Sequence, residues 1–145
     1  KKFDLDFVRE IIEQAAIVYD SKKSAILELG GGVPKNTAQQ TGPLLDQILK
    51  RNDGGQDYII QITDARPDTG GLSGATLQEG KSWGKIHDSH EGMVTVYADA
   101  TIAFPILALY VLSNQKSREP KRIYKKIGKL YDKLSEDYFK NPNKS

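Results

Sequence analysis

The chain has 145 residues, 38% of them hydrophobic and 28% charged, a balance that fits one folded domain and excludes a disordered polymer. Its 21 Lys+Arg against 19 Asp+Glu leave a net charge of +2, too small for a strongly basic nucleic-acid binder. With no cysteine the chain can form no disulfide, thiol nucleophile or thiolate metal site, a composition compatible with the cytoplasm.

In chain order, Phe7/Val8, Ile11/Ile12, Ala15/Ala16 and Val18/Tyr19 recur at a helical period, with Asp4 or Asp6 as N-cap. The stripe is wide, so this helix is expected to pack against more than one neighbour. Ala25–Leu29 reads as a short buried strand. Gly30-Gly31-Gly32 follows it, and a helix starts near Pro34, a residue suited to a first turn. Gly42-Pro43 is expected to break or kink that helix before Leu44, Leu45, Ile48 and Leu49 complete it. Asn52 to Gly55 is a turn, and Tyr58 to Ile62 a second strand.

Asp64 to Lys85 reads as a loop of about twenty residues, a length that in compact domains usually serves function. Met93 to Tyr97 is the third strand. Asp99 opens an apolar helix through about Leu112. The run Thr101 to Leu112 is too short to cross a bilayer and holds Pro105, so it is expected to be buried. A last helix, near Lys121 to Tyr138, places Ile123, Ile127, Leu130, Tyr131 and Leu134 on one face.

Strands alternating with helices predict an α/β fold with a parallel sheet. Parallel sheets need cover on both faces, and three strands with these helices make a thin domain. The chain is therefore expected to be part of a larger fold and not to fold stably alone. It opens on Lys1 with no signal-peptide pattern, which reads as a fragment or a processed chain. Residues 115–145 carry ten Lys/Arg and four Asp/Glu, a net of +6 that leaves −4 for the rest. A basic terminal helix of this kind can dock an acidic partner or a membrane surface, or simply form a solvated face.

Three segments could carry chemistry. In strand–Gly-Gly-Gly–helix, glycines let a ligand approach the backbone and the helix start favours an anion, which suits a dinucleotide; the spacing is neither G-x-G-x-x-G nor a P-loop. A tight structural turn explains it equally. The long loop holds Asp64, Asp68, Gly70, Gly71, Ser73, Gly74, Glu79, Trp83, Gly84 and Lys85. Acids beside an aromatic suit a cationic amine, and a lysine desolvated beside tryptophan can attack an imine carbon. Asp99, between strand and helix, can hold a ribose hydroxyl or serve only as N-cap. His87 and His90 flank Asp88 without an evident third ligand and are read as surface histidines.

Leu29-Gly30-Gly31-Gly32-Val33-Pro34-Lys35, Gly70 to Ala75, Glu79 to Ile86 and Val96 to Pro105 stand in an order that resembles deoxyhypusine synthase. The Ser-Trp-Gly-Lys and Tyr-Ala-Asp-Ala motifs are the specific ones. The similarity runs from about residue 5 to about residue 113 and corresponds to the C-terminal part of a family member. It implies a Rossmann-like parallel sheet flanked by helices, and a cytoplasmic tetramer with active sites across a subunit interface.

The activity implied is oxidation of spermidine with NAD and transfer of its aminobutyl group, through an imine on an enzyme lysine, to one lysine of the hypusine-bearing translation factor. By motif match Lys85 forms the imine, while Trp83, Glu79 and Gly70 meet the amine. Gly30, Gly31, Gly32, Ser73, Ala98 and Asp99 contact NAD. The N-terminal half is expected as a separate chain of a processed enzyme, with neither nucleic acid nor membrane as a partner. Asn36-Thr37 replace two histidines of the familiar eukaryotic enzyme, and Leu72 replaces an acid. These features, with Asp64 to Asp68, are similar to archaeal and bacterial branches. A homospermidine synthase-like aminobutyltransferase and a non-catalytic regulatory subunit of the same fold are the alternatives. A generic nucleotide-binding domain is the fallback.

Overall fold

The computed structural model describes residues 5–51, 55–87 and 92–141. The sheet has three parallel strands in the order β1-β2-β3: β1 (Ala25–Leu29), β2 (Tyr58–Thr63) and β3 (Met93–Tyr97). Register pairs Leu27 with Ile60, Glu28 with Gln61 and Ile60 with Val94. Helices flank the sheet, so the fold is α/β and Rossmann-like, as the alternation predicts.

α1 (Phe7–Asp20) starts on Asp6, whose carboxylate accepts the Arg9 N–H at 2.9 Å. Its Ala15 and Ala16 pack with Leu45 and Leu134 into one core, and Ile59, Leu77 and Ile86 form a second. The other end of the apolar stripe is bare, with Phe7 67% exposed.

α2 (Gly32–Gln39) leads without a break into α3 (Thr41–Pro43) and a π-helical turn, Leu44–Ile48. At Gly42-Pro43, where a break or kink is expected, the helix does not end but widens, with the Leu49 N–H reaching the Leu44 carbonyl at 2.9 Å. Gly42 is required there because a Cβ would lie 2.8 Å from the Gly55 Cα and from the Gly84 carbonyl oxygen.

The segment Asp64 to Lys85 is not a structureless loop. It holds 3₁₀ turns at Pro67–Thr69 and Leu72–Gly74, then α4 (Leu77–Ser82), capped by the Thr76 hydroxyl on the Glu79 N–H at 3.1 Å. α5 (Ala100–Asn114) is capped by Asp99. α6 (Ile127–Lys140) starts later than expected, because Arg122 is left-handed and a 3₁₀ turn at Ile123–Lys125 intervenes; Ile123 thus lies outside the helix. Lys133 of α6 reaches Asp20 at 2.5 Å, and Arg51 reaches Asp137 at 2.5 Å. The turn expected at Asn52 to Gly55 lies mostly outside the described residues.

Two expectations of burial are overturned. The apolar helix α5 has no buried residue, and its Leu112 is 79% exposed. In β1 the buried residue is the polar Glu28, whereas Leu27 and Leu29 are exposed. The cause is shared. Leu27, Leu29, Ile60, Ile62, Val94 and Val96 lie on one sheet face by strand alternation, and α5 shields only the β2–β3 part. Among the described residues no helix is long and apolar enough to cross a membrane.

Candidate active site

The first part of the site lies at the C-terminal edge of the sheet. The Gly30 N–H donates to the Ile62 carbonyl at 2.8 Å, and Gly30 and Gly31 then turn the chain at φ +64° and +72°. These left-handed values favour glycine. Gly32 admits the next segment, since a Cβ there would stand 2.5 Å from the Leu72 Cβ and 2.9 Å from the Ser73 N. Ser73 is thereby brought against the triglycine turn. A Cβ at Gly30, Gly70 or Gly71 would meet nothing within 4 Å, so this edge is an open cradle.

Ala98 and Asp99 reach the same edge from β3, because all strands are parallel. Ala98 and Tyr97 line a groove of about 530 Å³ with Asp64, Arg66, Pro67 and Asp68. Asp99 is exposed, and its Oδ1 accepts the Thr101 hydroxyl at 2.6 Å and the Thr101 N–H at 2.7 Å. The hydroxyl and then the N–H hold its carboxyl below the usual carboxylate range. Open glycine backbone, a helix start and an exposed carboxylate at one sheet edge suit a dinucleotide's phosphates and ribose.

The second part is a pocket of about 330 Å³ between α2 and α4, lined among others by Lys35, Asn36, Leu72, Glu79, Trp83 and Lys85. Lys85 Nζ donates to Asn36 Oδ1 at 2.7 Å. Its backbone is clamped: the N–H donates to the Gly80 carbonyl at 3.0 Å and the carbonyl accepts the Gln56 N–H at 3.0 Å. Gly84 makes the preceding turn at φ +70°. Trp83 ends α4 and Glu79 stands in its first turn, both largely exposed at the pocket rim. Gly70 is not part of this pocket's lining; its neighbour Leu72 is, where the resemblance places an acid.

Beneath the pocket lies a buried polar layer that reading the sequence missed. Lys35 Nζ donates to the Ala75 carbonyl at 2.5 Å, and burial lowers its proton affinity below that of an ordinary lysine. Glu28 Oε1 accepts Gln39 Nε2 at 2.5 Å, and burial raises the Glu28 pKa above 4.5. Gln61 Nε2 lies 3.3 Å from the Ser73 carbonyl oxygen and 3.4 Å from that of Ala75, and the Thr63 hydroxyl donates to Ser73 at 3.2 Å. A signal was available: Glu28 and Gln61 interrupt the apolar runs Ala-Ile-Leu-Glu-Leu and Ile-Ile-Gln-Ile. Of the histidine pair, His90 and its neighbour Asp88 lie outside the described residues, and among the described residues no group of three His, Cys, Asp or Glu is placed to hold a metal.

The site is thus that of an α/β domain with an open glycine-rich edge beside a lysine-lined pocket. Residues 1–111 match the deoxyhypusine synthase family, and the chain belongs to that family. A deoxyhypusine synthase-like protein of Nostoc sp. (strain PCC 7120) is 47% identical over 139 residues, covering 92% of this chain and 36% of the relative. One of Nostoc punctiforme is 49% identical over 140 residues, with 92% and 36% covered. Probable deoxyhypusine synthase 2 of Methanosarcina acetivorans is 43% identical over 122 residues, with 84% and 34% covered. The chain therefore spans about a third of the length of these curated relatives.

Proposed function

We propose that this chain carries the imine-forming half of an NAD-dependent aminobutyltransferase, with spermidine as donor and a lysine of the hypusine-bearing translation factor as acceptor. The observation that carries the reading is Lys85 held by Asn36 in a pocket beside an open dinucleotide-type edge. Gly30, Gly31, Gly32, Ser73, Ala98 and Asp99 would hold NAD, which when bound accepts a hydride from the amine and later returns it. Lys85, as the neutral amine, adds to the oxidised carbon of the donor; the carbon's bond to the diaminopropane nitrogen breaks, and diaminopropane leaves with a proton. The aminobutyl group stays on Lys85 as an imine, which the acceptor lysine then attacks. Trp83 supplies an aromatic wall for the alkyl chain and cation, and Glu79 an anchor for one ammonium.

The pocket's only carboxylate among its described lining residues is Glu79, against Lys35 and Lys85. A polyamine needs more acids than that. We infer that the remaining acids come from the rest of the protein, reaching the pocket at its exposed rim beside Glu79 and Trp83. A cytoplasmic tetramer that includes the rest of the protein is the form we propose. Leu72, standing where the resemblance places an acid, leaves the pocket one carboxylate short and favours a second reading, in which a small polyamine is the acceptor.

The test is the full protein incubated with NAD and spermidine, reduced with borohydride and analysed by denaturing mass spectrometry. An aminobutyl adduct on Lys85, absent in Lys85→Arg, is expected. An assembled, NAD-binding protein without that adduct would overturn the reading. Transfer to putrescine but not to the factor would select the second one.

A further inference from the structure

Two buried oxygens lack a hydrogen-bond donor, and they are neighbours. Glu28 Oε2 and Gln61 Oε1 have no partner, although Glu28 is 5% and Gln61 2% exposed. The two residues are register partners on adjacent parallel strands. Side chains so paired stand about 5 Å apart at their Cβ atoms. Rotating the Gln61 amide does not solve the problem. Its Nε2 faces the carbonyl oxygens of Ser73 and Ala75, and a flip would turn an acceptor onto both. Gln39 likewise fixes Glu28 Oε1 as an acceptor. The remaining Glu28 oxygen needs to donate and the remaining Gln61 oxygen needs to accept. One proton on Glu28 satisfies both, and an unmet buried acceptor is costly.

We propose that Glu28 is a neutral acid whose Oε2–H donates to Gln61 Oε1, which leaves Lys35 without a buried counter-ion beneath the pocket. Glu28 is then a positioning residue: it lies under the pocket and acts through Lys35. The charged groups facing this pair are Lys35 of α2, Glu79 of α4 and Lys85; β2 contributes the uncharged Gln61. Of these, Glu79 is exposed and only weakly offsets a buried cation. With Glu28 uncharged, the desolvation of Lys35 and the nearby Lys85 charge go unopposed by any buried anion, and the Lys35 proton is held more weakly than an ordinary lysine's. The protonation of Glu28 does not depend on the proposed role of Lys85.

The experiment uses the full protein and a spectroscopic readout. Infrared spectra at neutral pH are compared for wild type and Glu28→Gln, a change that keeps shape and replaces the acid's donor with an amide N–H. A protonated-carboxyl carbonyl band present in wild type and missing in the variant is expected. Its absence from wild type overturns the proposal. Because the band needs neither NAD nor spermidine, the result stands whether or not Lys85 takes the aminobutyl group.

Discussion

Gly55→Ala provides a sharp test of how the Lys85 backbone is held. A Cβ at Gly55 would lie 2.1 Å from the carbonyl carbon and oxygen of Lys85 and 2.3 Å from the Ile86 N. Moving from 2.1 Å to the 3.4 Å of an ordinary contact asks for a retreat of about 1.3 Å, and the atoms that must move are backbone. The retreat pulls on the Gln56 N–H to Lys85 carbonyl bond at 3.0 Å and the His87 N–H to Gln56 carbonyl bond at 2.9 Å. Overpacking costs about 1–3 kcal/mol, and each backbone bond lost costs about 1 kcal/mol net. About 3 kcal/mol corresponds to a melting temperature roughly 6–12 °C lower for a domain of this size. A displacement near 1 Å of a reacting group slows chemistry by about 100-fold. Melting and the rate of borohydride-trapped Lys85 adduct are measured on the full protein. Gly70→Ala separates strain from clash: with φ +74° and ψ 177° a side chain is strained by about 1–3 kcal/mol, but a Cβ meets nothing within 4 Å, so melting falls with no steric retreat of the backbone. Gly55→Ala with unchanged melting and unchanged adduct rate would refute the reasoning.

Leu45→Ala empties the fully buried centre between α1 and α6 and should cost about 2–5 kcal/mol, read as a lower urea midpoint at constant slope. Glu28 makes a signed pH prediction. Its folded pKa is raised by burial above 4.5, so the folded state holds this proton more tightly than the unfolded state. Its contribution to stability is therefore full below the ordinary carboxylate range and declines as pH rises from there to the raised value. Glu28→Gln should gain stability relative to wild type between pH 4 and pH 8 in denaturant titrations; the opposite trend would reverse the sign. Asp99→Asn keeps a good cap for α5 but removes the charge offered to a ribose, so helix content should hold while NAD affinity falls roughly tenfold by calorimetry. Unchanged affinity would leave Asp99 as a cap alone.

Much of this molecule was legible in its chain. β1 and β3 have the bounds that their apolar runs mark, and β2 extends one residue further, to Thr63. Asp6 and Asp99 cap the helices they precede, because a capping interaction spans only two or three residues. The triglycine turn and the Lys85 loop were visible for the same reason: both are contiguous motifs. What the chain could not show is which side of an element meets a neighbour. Leu112 and Phe7 look like core residues by composition, yet they are bare because nothing in these residues packs on them. Glu28, Lys35, Gln39 and Gln61 look like surface residues by type, yet they meet beneath the pocket. Asn36 becomes the partner of Lys85 across 49 positions of sequence. Local hydrogen bonding and periodicity are properties of short windows and were decided by the sequence alone. Burial, and with it the protonation of Glu28 and the setting of Lys85, is a property of distant segments brought together, and only the tertiary structure decides it.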